Sequence, residues 1–241
     1  MQTSKCRVRA MLAPEGRLKV AINYGNPVLA QRREDGEPGG VSAALGRALA
    51  AELDVAVAFV TYDAAGAVVA DLEHADWRLA FLARDPKRAE TIHFTSPYVL
   101  IEGTYLVPEA AAFAQVEELD RDGVRIAVGE GAAYDLYLSR TLQHAELVRA
   151  PTSAAAIELF VEQGLDAAAG VRQPLTRYAE AHGGYRVLPG RFTAIEQCMA
   201  LPRAQAEVAD YVEAFLARMK HEGMVQRALS ESGQGDAEVA P

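Results

Sequence analysis

The chain lacks any run approaching the roughly 20 apolar residues that a membrane-spanning helix requires. Its start, MQTSKCRVRAMLAPEGRLKV, has no apolar core of the kind a signal peptide carries, and no hydrophobic stretch precedes Cys6 as a lipidated terminus would need. The expectation is therefore a cytoplasmic chain or one that has lost its export signal. Cysteine is scarce: Cys6 and Cys198 do not settle the redox compartment, and two unrelated thiols are expected rather than a pair. The five histidines are scattered, and no Cys/His cluster has metal-ligand spacing, so neither metal nor cofactor is expected. Positive charge is also short. A formal net charge of −9 argues against nucleic acid, whose binding needs a basic surface that displaces counterions, and against a polybasic membrane anchor.

What is present is the balance of a globular protein: half of the 241 residues are hydrophobic and 24% are charged. Leu18–Asn23 alternates as a strand and stops at Tyr24-Gly25-Asn26-Pro27. Gln31–Gly40 is charged and glycine-rich, an expected exposed loop. Ser42 is placed to cap a helix carrying Leu45, Leu49 and Leu53 at helical spacing. Val55–Val60 predicts a strand, Ala64–Glu73 a helix and Leu79–Leu82 a buried strand. This β-α-β-α-β order is that of a parallel sheet covered on both faces.

The pattern then restarts. Val124–Val128 predicts a strand, Tyr134–Leu142 a helix and Leu147–Arg149 a short strand. Thr152 or Ser153 caps a helix to Glu162, Asp166–Val171 is the next strand, and Pro174 opens another helix. Gly103–Val107 and Thr193–Leu201 read as two strand-like passages between the halves. A long helix from Arg203 to Lys220 follows, with one apolar stripe, and the polar tail after Ser230 is expected to fray. The expected architecture is α/β with two lobes, each a mainly parallel sheet flanked by helices and joined by two hinge strands. Lobe 1 comprises residues 1–106 and 197–241, and lobe 2 is residues 107–196, inserted.

Chemistry concentrates in Asp76–Tyr98, DWRLAFLARDPKRAETIHFTSPY. A strand ends in a polar turn at Arg84, Asp85, Pro86, Lys87 and Arg88, where open α/β sheets bind ligands. An arginine there can grip a carboxylate with two parallel hydrogen bonds, which lysine cannot reproduce.

With that order in place, the chain resembles the family 3 bacterial solute-binding proteins, of type II periplasmic binding fold and the polar amino-acid ABC transporter type. The matching stretches are Gly16–Val20, Gly40–Asp54, the arginine and F-x-x-P-Y block of Asp76–Tyr98, Gly103–Val107, Val124–Leu138 and Gly164-Leu165-Asp166-Ala167. The resemblance covers about residues 15–232. It implies that Arg88, six residues before Phe94, holds a ligand carboxylate, and that Tyr24, with Asn23 beside it, meets the ligand side chain.

The departures bear on the ligand. Ala83 and Asp85 stand where the family often has hydroxyl residues, and ionised Asp85 accepts from an ammonium rather than donating to a carboxylate. In the second lobe Ala132 and Ala133 replace small hydroxyl residues. That leaves backbone N–H groups, those of Gly131 and Ala133 among them, and the helix dipole. Glu130 beside them disfavours phosphate. Arg172 stands near the place of an expected amine-binding aspartate. Either it faces the cleft and, with Arg88, clamps a dicarboxylate, or it points to solvent or pairs with Glu180 or Asp135.

The expected function is capture of a small carboxylate-bearing solute, an amino acid or related organic acid, by a monomer that serves a membrane ABC permease. The resemblance implies a periplasmic location. Two alternatives remain: a cyclohexadienyl-dehydratase-like enzyme, with Asp85, Glu130, Glu196 and His93 as available proton donors, and a stand-alone sensor.

Overall fold

The computed structural model describes residues 4–72, 74 and 77–241. In chain order come α1 (Lys5–Leu12), β1 (Arg17–Asn23), β2 (Gln31–Arg32), β3 (Pro38–Gly39), α2 (Gly40–Glu52), β4 (Ala56–Tyr62), α3 (Ala65–Ala70) and β5 (Leu79–Ala83). A single 3-10 turn at Arg88–Glu90 leads into β6 (Ile92–Pro108). Then follow β7 (Arg125–Gly129), α4 (Ala133–Thr141), β8 (Glu146–Ala150), α5 (Ser153–Gln163), β9 (Ala167–Val171), α6 (Arg172–His182) and β10 (Tyr185–Val187). The chain closes with β11 (Thr193–Pro202), α7 (Ala209–His221), α8 (Met224–Glu231) and β12 (Glu238–Val239). It divides into two compact units. The first is Met1–Asp63, Ala67–Leu100 and Glu196–Pro241; the second is Ala64–Gly66 and Ile101–Ile195. Strands β6 and β11 each contribute residues to both.

In the first unit β1 pairs in parallel with β4 along its whole length, from Arg17↔Ala56 to Asn23↔Tyr62. On its other edge it pairs in parallel with β5, Val20↔Leu79 and Ala21↔Ala80. Strand β11 runs antiparallel to β5, Gln197↔Ala83 to Ala200↔Ala80. A strand enclosed on both edges and both faces has no polar side to show, and all five residues of β5 are buried. Leu45 and Leu49 of α2 and Leu53 just beyond it are fully buried, as their helical spacing requires.

In the second unit β7 lies between β8 and β9, parallel to both, and β9 runs antiparallel to β6. Phe160 of α5 and Leu175 of α6 pack with Leu106 and Ala168 in its core. Thr152 caps α5, accepting from the Ala155 N–H at 3.1 Å, and Gly164 ends the helix in the left-handed conformation. Pro174 sits in the first turn of α6, where its missing N–H costs nothing.

The structure departs from the sequence reading at four places. Ser42 is not the cap of α2. The helix starts two residues earlier, at Gly40, and its capping residue Gly39 offers no side-chain bond. The Ser42 hydroxyl instead lies 3.3 Å from Tyr98 Oη. Gln31–Gly40 is not a plain loop but a hairpin, Gln31↔Gly39 and Arg32↔Pro38, turned by Gly36 at φ +83° and by the Asp35 carboxylate accepting from the Glu37 N–H at 3.0 Å.

The helix expected from Arg203 begins as a 3-10 segment, Arg203–Val208, because Arg203 is tied back: its N–H donates to Thr91 O at 3.1 Å and its guanidinium to Ala89 O. The tail does not fray. Glu238 and Val239 pair with Leu100 and Val99 on an edge of β6, and Ala237 and Ala240 are buried, so the short strand satisfies backbone groups that an open edge would expose. The strand expected at Gly103–Val107 is present, as the second half of the 17-residue β6, which also contains the Phe94–Tyr98 block. Helix α3 ends at Ala70; the expected end at Glu73, and Asp76 at the head of the arginine segment, lie outside the described residues.

Candidate functional site

The first unit brings several of the sequence-selected residues to one sheet edge. Strands β1 and β5 are adjacent and parallel, paired at Val20↔Leu79 and Ala21↔Ala80, with Tyr24 just past the end of β1 and Ala83 the last residue of β5. Both residues therefore leave the sheet at the carboxyl ends of neighbouring strands, the usual ligand edge of an open α/β sheet. Asn23 turns the chain there, its side-chain oxygen accepting from the Gly25 N–H at 2.9 Å. The hydroxyl of Tyr24 is buried and has no hydrogen-bond partner among the described residues. The guanidinium of Arg32, from the hairpin, lies 4.6 Å from the centre of the Tyr24 ring. Such a cation–π contact contributes about 0.5–1 kcal/mol at an exposed site.

After β5 the turn is built around Asp85. Its carboxylate accepts from the Lys87 N–H at 2.9 Å and its carbonyl from the Ala89 N–H at 2.9 Å, which winds Arg88–Glu90 into a 3-10 turn. That turn directs Arg88 back along the strand end, where its guanidinium donates to Ala83 O at 3.0 Å. Arg88 and Asp85 are each 3% exposed, a burial that a lone charge would not tolerate. Burial draws the Arg88 guanidinium down to about 10, and the nearby Asp85 charge opposes that fall. Arg88 is thus a cation at neutral pH, held among a carbonyl and a carboxylate of its own turn. Ala83 supplies only its carbonyl, and Asp85 supplies a counter-charge where a hydroxyl was the family's habit.

In the second unit, α4 starts at Ala133, and Ala132 ahead of it provides no side-chain cap. The Gly131 N–H, expected to serve a ligand, donates to Asp135 Oδ2 at 2.8 Å. An acid in the first turn of a helix is drawn to that end by the dipole, and Arg149 at 3.1 Å steadies Asp135 from the other side. Tyr134 ties the same turn together, donating to Ser153 Oγ at 2.8 Å and accepting from the Gly129 N–H at 3.2 Å.

Arg172 takes neither of the partners weighed for it. Its Nε donates to Glu102, and its other nitrogens donate to Leu188 O and Gly190 O; Arg191 lies 3.6 Å from the same carboxylate. The cause is register: Gly103 pairs with Val171 across β6 and β9, so the next pair outward is Glu102 and Arg172. Gln173, the next residue, holds a buried side-chain oxygen with no partner among the described residues. Of the proton donors considered for an enzyme, Glu196 pairs with Arg84 at 3.4 Å.

Sequence reasoning missed Arg32, Glu102 and Gln173. Arg32 stood in a run of mixed charges with nothing to separate it from Arg33, and Glu102 became visible only through strand register. Among the described residues no group of three His, Cys, Asp or Glu side chains could hold a metal, and no helix is long and apolar enough to cross a membrane.

Similarity to known proteins agrees with this architecture. The glutamate-binding protein GluB of Corynebacterium efficiens is 27% identical over 162 residues, covering 64% of this chain and 55% of that protein. The match thus spans about half the length of that relative. Among solved structures, a solute receptor for L-cysteine from Neisseria gonorrhoeae superposes with a TM-score of 0.81 at 19% identity, covering 93% of this chain and 92% of the other. An ancestral amino acid-binding protein, a precursor of cyclohexadienyl dehydratase, superposes at 0.76 with 22% identity, covering 91% and 96%. Both structural likenesses establish the fold, that of the type II periplasmic binding proteins. Residues 18–232 match the model of the bacterial extracellular solute-binding proteins, family 3, and the chain belongs to that family.

Proposed function

We propose that the protein binds a small carboxylate-bearing solute, an amino acid or close relative, as the substrate-binding component of an ABC transporter. The observation that carries this reading is Arg88: a guanidinium 3% exposed, at the carboxyl end of a central strand, held in place by its own turn. Burial in such a place costs several kcal/mol, of the order that desolvated charges incur, and a binding role for the charge accounts for that cost. Asp85 accepts from the ammonium of a zwitterion while Arg88 holds its carboxylate. Tyr24 and Asn23 border the solute from the neighbouring strand end, Ala83 leaves room for it, and the helix start at Gly131–Ala133 is assigned to the same solute. Arg172, already paired with Glu102, is assigned to shaping the second unit.

The relative named for glutamate and the fold neighbours named for amino acids support the solute class. The neighbour described as a dehydratase precursor is itself described as an amino acid-binding protein, which favours binding over catalysis. The family's description as extracellular supports a working compartment outside the cytoplasmic membrane; a membrane permease as partner and a monomer as the active form complete the reading.

The test is thermal unfolding against a panel of L-amino acids and dicarboxylates. A solute at 100 times its Kd stabilises by about 2.7 kcal/mol, which for a chain of this size raises Tm by roughly 5–10 °C. Arg88→Ala abolishes the shift and Arg88→Lys, which keeps the charge but loses the fork, weakens it. Both variants binding as well as the parent would refute the assignment.

A further inference from the structure

Arg32 is placed to do more than decorate a hairpin. Its guanidinium lies over the Tyr24 ring, 4.6 Å from the centroid, and no carboxylate pairs with it among the described residues. The neighbouring arginine of the hairpin is engaged locally: Arg33 pairs with Asp35, which also accepts from the Glu37 N–H. A guanidinium held over a ring and paired with no carboxylate keeps N–H groups with which to form two parallel bonds to one carboxylate. Stacking also holds the long side chain in place, which reduces the entropy lost when a ligand is gripped.

A second observation points the same way. Tyr24 Oη is buried without a partner among the described residues, and a buried hydroxyl normally has one. Arg32 further borders, with Arg33, Glu34 and Asp35, an open concavity of about 510 Å³, within the size range of small-molecule sites. Tyr24 leaves β1 beside the end of β5 that carries the Arg88 turn.

We infer that Arg32, oriented by the Tyr24 ring, is a specificity residue that holds a second carboxylate of the solute, with the Tyr24 hydroxyl as an added donor. The solute class is then an acidic amino acid or a dicarboxylate. This rests on the binding function proposed above. Arg172, the other arginine weighed for a second acid group, is engaged by Glu102. Glu34 and Glu37 oppose the anion, but both are exposed on the hairpin, where solvent and salt screen them.

The test is calorimetric titration of the parent, Arg32→Gln and Tyr24→Phe with L-glutamate, L-aspartate and succinate, and with L-glutamine and L-asparagine as neutral counterparts. The parent is expected to favour the acid over its amide. Arg32→Gln should lose tenfold or more for the acids and less than twofold for the amides; Tyr24→Phe should show a smaller loss with the same selectivity. Equal effects on acids and amides, no effect of Arg32→Gln, or a parent that prefers amides or cationic amino acids would overturn the inference while leaving an Arg88-dependent binding function intact. A parent that binds none of the five, nor any other amino acid, overturns both.

Discussion

Glu213 of α7 accepts two hydrogen bonds from Ser96, one from its backbone N–H at 2.7 Å and one from its hydroxyl. Ser96 lies inside the Phe94–Tyr98 block of β6, so a carboxylate 117 residues away fixes the strand segment that follows the Arg88 turn. Beside it, Thr95 Oγ1 accepts from the Met199 N–H at 3.0 Å and so ties β6 to β11.

Removing Glu213 leaves the Ser96 N–H and hydroxyl without their acceptor in a half-buried place. Such a loss costs about 1–3 kcal/mol. Glu213→Ala should therefore lower the urea midpoint without changing the slope, and Glu213→Gln, which retains one acceptor oxygen, should fall less. An alanine variant with the parent's midpoint would show that the two bonds contribute nothing net.

Gly40 and Gly36 separate two reasons for glycine. Both have positive φ, +84° and +83°. A side chain at Gly36 meets nothing within 4 Å, whereas one at Gly40 lies 2.5 Å from Leu29 O. Gly36→Ala should cost only the backbone strain, about 1 kcal/mol, because a left-handed conformation is all it violates. Gly40→Ala adds a collision with main chain at the start of α2 and should cost at least twice that, on the order of 2–4 kcal/mol. Equal losses in midpoint for the two variants would mean that the Leu29 segment moves aside freely.

The same region shows how far the sequence could be read. Strand and helix order, the buried run of β5 and the cap at Thr152 follow from local pattern, because periodicity and capping act over a few residues. The turn that carries Arg88 is legible for a related reason: it is built by its own neighbours, Asp85 to Ala89. Ser42 misled because a serine ahead of a hydrophobic run looks like a cap, yet its hydroxyl meets Tyr98, 56 residues on. The partner of Arg172 is hidden in the same way, since Glu102 is 70 residues away and emerges only from the register of β6 with β9. Arg32 on Tyr24 was invisible, as a hairpin had first to bring the guanidinium back over the ring. Pairings across strands are the part of the site that local pattern does not encode.

Glu52, at the end of α2, gives a pH-dependent test of helix docking. Its carboxylate accepts from Tyr211 Oη at 2.6 Å and from Arg218 at 2.7 and 2.8 Å, both on α7. Burial pushes the Glu52 carboxyl up, but the bonds from Tyr211 and Arg218 outweigh it and hold the group below the ordinary glutamate range. A carboxyl lower in the folded than in the unfolded chain stabilises above its unfolded value, about 4.3, and loses that contribution as pH falls through the folded value. Glu52→Gln should accordingly be less stable than the parent at pH 7, by about 0.5–1 kcal/mol for a pair this open to solvent. The gap should hold down to about pH 5 and close progressively below that, as the parent's own Glu52 protonates. Urea midpoints of the two proteins measured from pH 7 to pH 3 decide it. A gap that stays constant across that range would assign the contact to packing of α2 on α7 rather than to the charge on Glu52.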